Sequence, residues 1–329
     1  MHKNFTDKLT DVKLCVNIWL LKLSQTEEKA MKDQINLLKK QKNAVILAHC
    51  YAPADAQEVA DFVGDSFYLA RAAKETEADI IVFCGVDFMG ESAKMLNPDK
   101  KVLMPDIKAD CAMAHMVAPG VIDEMRARYS DLAVVCYINS EAALKAQSDV
   151  CVTSSNAVRI VKALPQKNIF FIPDRNLGRF VAQQVPEKNI ILNDGFCPVH
   201  AALTAERVKA QKQLHPNAPV LAHPECEEEV LALADFVGST SDIIKYAKQD
   251  GAEEYIICTE QGVDYRLQSD NPHKRFYYPD SCLCCRDMKL NTLENILSAL
   301  KDEEPEVQAD EKLFKQALAP LDRMLEMAK

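Results

Sequence analysis

Glycine and tryptophan are scarce in this chain, which has nine glycines and one tryptophan among its 329 residues. This composition excludes collagen-like and low-complexity proteins. Linkers rich in glycine or serine are also lacking, so we expect one compact body of two or three domains. Apolar residues make up 48% of the chain and charged residues 27%, which excludes intrinsic disorder and is typical of a globular protein.

Long hydrophobic segments are absent as well. The apolar stretch nearest to the start, residues 12–23, is interrupted by Lys13, Asn17 and Lys22. This stretch is too short to cross a bilayer, and no cleavage site of small residues follows it. We therefore expect a cytoplasmic protein that does not contact a membrane.

Positive charge is in deficit. The 39 lysines and arginines are outnumbered by 49 acidic residues, which gives a formal net charge of -10. This balance argues against binding to nucleic acid or to anionic membranes through charge. Small anionic ligands remain compatible with it, because a local pocket can oppose the overall charge.

Cysteine, in contrast, is abundant, with 12 residues. Thiols stay reduced in the cytoplasm, so some of these cysteines are expected to bind a metal or act in catalysis, and the rest to pack in the core.

A tandem repeat organises the chain. Three apolar runs, AVILAHCY at 44–51, LAVVCYIN at 132–139 and APVLAHPE at 218–225, are each followed by a helical stretch and a second apolar run. A hydroxyl residue ends each second run. In all three units, it lies the same number of residues along the sequence after a polar residue of the first run. The three pairs are His49 with Ser66, Tyr137 with Ser154, and His223 with Thr240. This spacing indicates three related units.

Each unit continues through a further strand and an extended segment that ends on a cysteine. Cys111, Cys197 and Cys285 follow the first polar position of their units at nearly equal distances along the chain. The pattern predicts an α/β fold of three tandem three-layer αβα units, with short parallel sheets around a pseudo-threefold axis. The expected divisions are an N-terminal helical extension at 1–34, units at 35–118, 119–204 and 205–290, and C-terminal helices at 291–329.

The cysteines fall into two groups. Free cysteine is often a small apolar core residue, which is the interpretation we favour for Cys84, Cys136, Cys151 and Cys258, since they lie inside apolar strands. The three cysteines that close the units follow loop-like segments instead. Three converging thiolates suit an iron-sulfur cluster with one open iron, or a zinc ion. Residues 282–285 form a C-x-x-C pair, which fits half a zinc site or a redox pair, but the chain has no second such pair.

Polar residues at the strand ends are the other candidates. They occur as pairs two residues apart, where the side chains of a strand face the same way, and the pairs are His49 with Tyr51, Tyr137 with Asn139, and His223 with Glu225. Ser66, Ser154 and Thr240 lie where a strand gives way to a helix. They fit helix N-caps, anion-binding helix starts, or both.

Several ordered motifs resemble the quinolinate synthase family from about residue 35 to the end. The motifs are AHCY, GDS at 64–66, GVDFMGE, PD before Cys111, YIN, TSSNA, PDRNLG, CPVH, HPEC, GST and the C-x-x-M-K-L-N-T-L-E segment from Cys285. The resemblance implies a transferase of de novo NAD synthesis that condenses iminoaspartate (iminosuccinate) with dihydroxyacetone phosphate to quinolinate, phosphate and water. It also implies one [4Fe-4S] cluster per chain, with three cysteine ligands and an open iron that acts as a Lewis acid.

Carried over by motif, the resemblance assigns the cluster to Cys111, Cys197 and Cys285, with Cys284 as the alternative third ligand. It assigns substrate binding to His49, Ser66, Tyr137, Asn139, Ser154, His223, Glu225 and Thr240. Tyr51 and Glu225, with His223, take the catalytic roles, and His200 is a further cavity candidate. Cys50 stands where the family more often has Asn, and we interpret it as a packing residue. An aspartate oxidase or dehydrogenase and iron-sulfur assembly proteins are implied as transient partners.

Two alternatives stay open. One is an iron-sulfur electron carrier or redox sensor, which needs a fourth protein ligand or an exposed cluster. The other is a protein without catalytic activity, in which zinc or packing accounts for the cysteines.

Overall fold

The computed structural model describes residues 25–279, 283–308 and 310–328. Most of the helical extension predicted at 1–34 lies outside the described residues, and the first described element is helix α1, residues 25–41. It crosses the predicted division between residues 34 and 35. No helix in the described part of the chain is long and apolar enough to cross a membrane.

Each repeat folds as strands separated by helices. The elements of the first unit are β1 (Ala44–His49), α2 (Ala54–Val59), β2 (Phe62–Gly64), α3 (Ser66–Glu75), β3 (Ile80–Cys84), α4 (Asp87–Leu96) and β4 (Lys101–Leu103). Those of the second are α5 (Val121–Arg128), β5 (Leu132–Tyr137), α6 (Ala142–Ala146), β6 (Val150–Val152), α7 (Ala157–Ala163), β7 (Asn168–Ile172), α8 (Arg175–Gln184), β8 (Asn189–Leu192) and α9 (Pro198–Ala201). Those of the third are α10 (Ala205–Leu214), β9 (Val220–Ala222), α11 (Glu228–Leu231), β10 (Phe236–Val237), α12 (Thr240–Gln249), β11 (Glu254–Cys258), α13 (Asp264–Asp270) and β12 (Arg275–Tyr277).

The three sheets have the same parallel topology. Their strand orders are β2-β1-β3-β4, β6-β5-β7-β8 and β10-β9-β11-β12. The register is repeated too, because the third residue of β2, Gly64, pairs with His49, and the third residue of β6, Val152, pairs with Tyr137. The prediction of an α/β chain with three tandem units is confirmed.

One aspartate per unit ties two neighbouring strands together. Its carboxylate accepts the backbone N–H of a residue in the central strand at 2.7 to 2.8 Å. The pairs are Asp61 with Ile46, Asp149 with Val134, and Asp235 with Val220. A polar contact repeated at the same place shows that the units share local structure as well as topology.

The central strands are almost entirely buried. Every residue of β5 is buried, as is every residue of β3 and β9. Parallel sheets that are covered on both faces need such continuous apolar runs, because helices pack on each side. Cys84, Cys136, Cys151 and Cys258 lie in these strands or beside them with no exposed surface, which confirms their placement in the core. Cys50 is buried as well.

The tail forms two helices, as expected from its amphipathic pattern. Helix α14 (Leu293–Asp302) packs on the first unit, where Ile296 and Leu300 join the core under β1 and β3. Helix α15 (Glu311–Met327) packs against α4, α6 and β6, with Ala317 and Leu321 fully buried. The last helix therefore joins the first unit to the second.

Candidate active site

One cavity, partly open to solvent, lies at the carboxyl ends of the strands and draws its walls from all three units. It contains all twelve residues predicted for the site. They are His49, Tyr51, Ser66, Cys111, Tyr137, Asn139, Ser154, Cys197, His223, Glu225, Thr240 and Cys285. His200, the additional candidate, lines it too. The strand-end rule for parallel sheets accounts for this gathering.

The two strand-end histidines share one geometry. Strand β1 ends at His49, and its ring Nδ1 accepts the backbone N–H of Tyr51 at 3.1 Å. In the third unit, His223 Nδ1 accepts the backbone N–H of Glu225 at 3.3 Å. Tyr51 and Glu225 thus lie in turns after the strands, and these turns, rather than strand alternation, bring them to the cavity. With Nδ1 as acceptor, each neutral ring carries its proton on Nε2.

Burial keeps both histidines neutral. It lowers the pKa of His49 and of His223 to about 3, against a weaker opposing attraction from Glu225. At neutral pH each ring is therefore an uncharged hydrogen-bond donor. His223 Nε2 lies 3.3 Å from the Ser154 hydroxyl, so a histidine of the third unit meets a serine of the second.

The hydroxyl residues are not the helix N-caps. Asp65 caps α3 by accepting the N–H of Tyr68, and Ser239 caps α12 in a reciprocal pair with Asp242. Ser66 and Thr240 are the first helical residues, and both line the cavity. In the second unit, α7 begins three residues after Ser154, so Ser154 does not lie at a helix start, whereas Ser66 and Thr240 begin α3 and α12.

Tyr51 lies between two threonine hydroxyls. Its phenol oxygen is 2.8 Å from Thr240 Oγ1 and 2.8 Å from Thr259 Oγ1. Burial and then the nearby Glu225 raise its pKa well above the usual value. The side chain is therefore an un-ionised phenol that can donate a proton.

Glu225 is paired with His200, the additional cavity candidate. His200 Nδ1 donates to Glu225 Oε2 at 2.8 Å, and both side chains are at most 5% exposed. Burial alone would raise the pKa of Glu225, but attraction by His200 and His223 outweighs it and lowers this pKa to about 2. Hydrogen bonds from the His200 ring and from the Tyr137 hydroxyl act in the same direction. The other carboxylate oxygen, Oε1, has no donor in hydrogen-bond geometry among the described residues.

The three predicted ligand cysteines have a common local structure. Each precedes a short helix: Cys111 leads into 3-10 helix Ala112–His115, Cys197 into α9, and Cys285 stands just before 3-10 helix Met288–Leu290. Burial raises the pKa of each thiol, to about 12 for Cys111 and about 11 for Cys285. Backbone N–H groups of the following short helix or turn oppose that effect at every one of the three sulfurs.

This arrangement suits thiolate ligands. N–H groups directed at a sulfur stabilise its negative charge, and a bound cation would supply the rest. The core cysteine Cys258 differs, because burial is the one influence on its pKa. Cys284, the alternative third ligand, does not line the cavity, whereas Cys285 does. Cys282 lies outside the described residues.

Sequence reasoning missed one buried ion pair at the cavity wall. Glu260, 1% exposed, lies 2.9 Å from Lys289 Nζ and accepts the backbone N–H of Cys285 at 3.0 Å. Lys289 also donates to the Tyr51 carbonyl at 2.6 Å. Glu260 directly follows Thr259 at the end of β11, so its place at a strand end was the available signal.

Comparison with known proteins agrees with this geometry. Residues 33–326 match the family described as NadA, quinolinate synthetase A protein. A quinolinate synthase of Fusobacterium nucleatum is 53% identical over 298 residues, which cover 91% of this chain and 99% of that protein. One from Caldicellulosiruptor bescii is 50% identical, with 90% and 98% covered, and one from Aquifex aeolicus is 46% identical, with 93% and 97% covered.

Proposed function

The chain belongs to the quinolinate synthase family, whose name places it in NAD biosynthesis, and we propose that it condenses iminoaspartate with dihydroxyacetone phosphate to quinolinate, phosphate and water. The transfer of a three-carbon unit makes it a transferase. The observation that carries the proposal is the meeting of three repeat-equivalent thiols and nine predicted polar or catalytic residues in one cavity.

We propose that Cys111, Cys197 and Cys285 hold one [4Fe-4S] cluster per chain. The support is chemical: three sulfurs from three units line one cavity, and backbone N–H groups face each of them. When bound, the cluster would supply an open iron that acts as a Lewis acid toward a substrate carboxylate or hydroxyl.

The polar wall accounts for binding of anionic substrates. His49 and His223 offer neutral Nε2–H donors, and Ser66, Ser154 and Thr240 offer hydroxyls. The starts of α3 and α12 add backbone N–H groups and positive dipole ends, which suit phosphate and carboxylate. Tyr137 and Asn139 complete the wall, and Asn139 Oδ1 has no partner among the described residues. Holding both substrates here favours condensation by proximity.

Two side chains are assigned to proton transfer, one as a proton donor and the other as a proton acceptor. The un-ionised Tyr51 phenol can donate a proton to the substrate, and hydrogen bonds from the Thr240 and Thr259 hydroxyls stabilise the phenolate that remains. The ionised Glu225 can accept a proton, and His200 then stabilises the carboxylate when the proton leaves. His223 holds the turn of Glu225 through its backbone and presents Nε2–H beside Ser154. The condensation needs such transfers in carbonyl isomerisation, bond formation and dehydration.

Two further assignments rest on chemistry. Imines hydrolyse in water, which favours supply of iminoaspartate by an aspartate oxidase or dehydrogenase in transient contact with the chain. Loading of the cluster would involve iron-sulfur assembly proteins. We place these events in the cytoplasm, where thiols stay reduced.

Replacement of one hydroxyl tests the proton-transfer assignment. With the cluster-loaded enzyme under anaerobic conditions, Tyr51→Phe should reduce quinolinate formation about 100-fold or more, the usual size of a lost acid-base group. The matched control is Tyr278→Phe, because the Tyr278 hydroxyl bonds Asp264 at 3.2 Å and does not line the cavity. A Tyr51→Phe enzyme that keeps more than half of the rate would remove Tyr51 from the proposed chemistry.

A further inference from the structure

Cys197, His200 and Glu225 form a compact group of three different metal-binding side chains. Their ligand atoms all lie within 4.8 Å of one another. His200 Nδ1 is 3.2 Å from Cys197 Sγ and 2.8 Å from Glu225 Oε2. We propose that the chain without a cluster binds one Zn²⁺ or Fe²⁺ ion through these three side chains, and that bound Zn²⁺ excludes the [4Fe-4S] cluster.

The donor set is that of a mononuclear site. One thiolate, one imidazole and one carboxylate suit Zn²⁺ and Fe²⁺ and leave a fourth position open. Usual bond lengths to zinc of about 2.0–2.3 Å put tetrahedral ligand atoms roughly 3.4–3.6 Å apart. The two measured contacts therefore need to widen by about half an ångström, which side-chain rotations can provide. The bound group is electrically neutral, since two negative ligands balance the divalent ion.

An orphaned oxygen points to the same ligand. Glu225 is 3% exposed, and its Oε1 has no donor in hydrogen-bond geometry among the described residues, although the Tyr137 hydroxyl interacts with this carboxylate and lowers its pKa. A buried carboxylate oxygen without a donor is costly, and a cation relieves that cost. This observation is independent of the spacing of the three side chains.

The surrounding contacts are those expected around a metal-bound histidine. His200 Nε2 lies 2.9 Å from Thr259 Oγ1, which Tyr51 holds in turn. With Nδ1 on the metal, the ring proton moves from Nδ1 to Nε2 and is donated to Thr259, which fixes the tautomer. The backbone N–H of Cys197 donates to the buried Asp174 at 3.1 Å and anchors the thiolate. Binding releases the Cys197 thiol proton to solvent.

The competition follows from a shared ligand. Cys197 cannot bind a lone zinc ion and a cluster iron in the proposed ligand set at the same time. The exclusion of the cluster rests on the proposed function, whereas the mononuclear site does not. Fe²⁺ bound by Cys197, His200 and Glu225 can be a starting point for cluster assembly, whereas Zn²⁺ bound at the same site blocks assembly. The effects of the two ions are therefore tested in separate experiments.

Metal binding to the chelator-treated, cluster-free chain tests the site. Titration with Co²⁺ should give one equivalent, with a single thiolate charge-transfer band and the visible absorption of four-coordinate cobalt. Zn²⁺ should displace it. His200→Ala and Glu225→Gln should each weaken Zn²⁺ binding at least 10-fold, while Cys111→Ser and Cys285→Ser should change it less than twofold. Thermal melting of each variant identifies any that fail to fold. If His200→Ala does not fold, Glu225→Gln alone provides the test of the site.

If Cys111→Ser and His200→Ala lose zinc affinity equally, the metal site is formed by the three cysteines and the proposed site is wrong. Failure of the chain to bind Co²⁺ would also refute the proposed site. For the second step, the chain preloaded with Zn²⁺ is incubated with sulfide and equal amounts of ferrous and ferric iron, which match the oxidation level of a [4Fe-4S]²⁺ cluster, and cluster absorbance should fall in proportion to the zinc retained. A full cluster beside a full equivalent of zinc would overturn the exclusion. In the Fe²⁺ arm, preloaded iron should be incorporated into the cluster, and iron that stays outside it would refute an assembly role. Cluster formation in the zinc-free chain reports on the proposed function separately.

Discussion

The buried pair of Lys289 and Glu260 should hold the loop of Cys285 in place. Glu260 accepts two backbone N–H groups, from Cys285 at 3.0 Å and from Gly262 at 2.6 Å, and Lys289 Nζ lies 2.9 Å from the same carboxylate. Lys289 also bonds the Tyr51 carbonyl at 2.6 Å. The change Lys289→Met removes the charge and both contacts but keeps much of the apolar stem.

The magnitude follows from burial. Removing one partner of a fully buried ion pair costs about 3–5 kcal/mol. The Lys289 side chain is 30% exposed, against 1% for Glu260, so solvent screens part of the interaction. We therefore expect a loss of about 2 kcal/mol in the local stability of the loop, which corresponds to about 30-fold faster opening.

Hydrogen exchange at the Cys285 amide measures this opening, because that N–H is bonded to Glu260. In the cluster-free chain, Lys289→Met should speed its exchange about 30-fold, and the double change with Glu260→Gln should restore part of the protection by removing the unpaired charge. Lys248→Met is the control, since Lys248 is 63% exposed and its contact with Asp270 is 3.9 Å long. An effect below threefold would refute the idea that this pair holds the loop.

Three other results are expected. Cys111→Ala should reduce iron from about four per chain to a trace in anaerobically purified protein, while Cys84→Ala should keep it, and retention of iron in the first variant would remove Cys111 from the ligands. Leu321→Ala, at a fully buried position of α15, should lower stability by about 2–5 kcal/mol in thermal or chemical denaturation, and a loss below about 1 kcal/mol would contradict the packing of that helix. The carboxylate of Glu303 bonds Lys101 and Lys42, which lower its pKa to about 2. The stabilisation is thus present above the ordinary glutamate pKa and is lost as pH falls through about 2, so the difference in melting temperature between the native chain and Glu303→Gln should shrink between pH 5 and pH 2. A difference that does not depend on pH would refute this.

Repeat spacing explains why so much of the site could be predicted. A constant interval from strand end to hydroxyl residue makes His49, Tyr137 and His223 equivalent, and parallel sheets bring equivalent strand ends to one edge. The equivalence of these three residues can therefore be read from the sequence spacing, without any knowledge of the contacts between the units.

The contacts that were missed are those between units. Lys289 bonds the carbonyl of Tyr51 although the two lie far apart along the chain, and no local pattern encodes that approach. The N-caps of α3 and α12 lie one residue before the predicted hydroxyl residues, because the side chains of Asp65 and Ser239 accept backbone N–H groups of the first turn. The division of the chain into an extension, three units and a tail stays a prediction, with the bounds 1–34, 35–118, 119–204, 205–290 and 291–329.

Quinolinate formation by the purified chain tests the central claim most directly. The chain is reconstituted anaerobically with iron and sulfide until it holds about four irons, then given iminoaspartate and dihydroxyacetone phosphate, and the product is quantified by mass. We predict quinolinate and phosphate in equal amounts, and none from chain that lacks the cluster. An intact cluster that yields no quinolinate would contradict the proposed function.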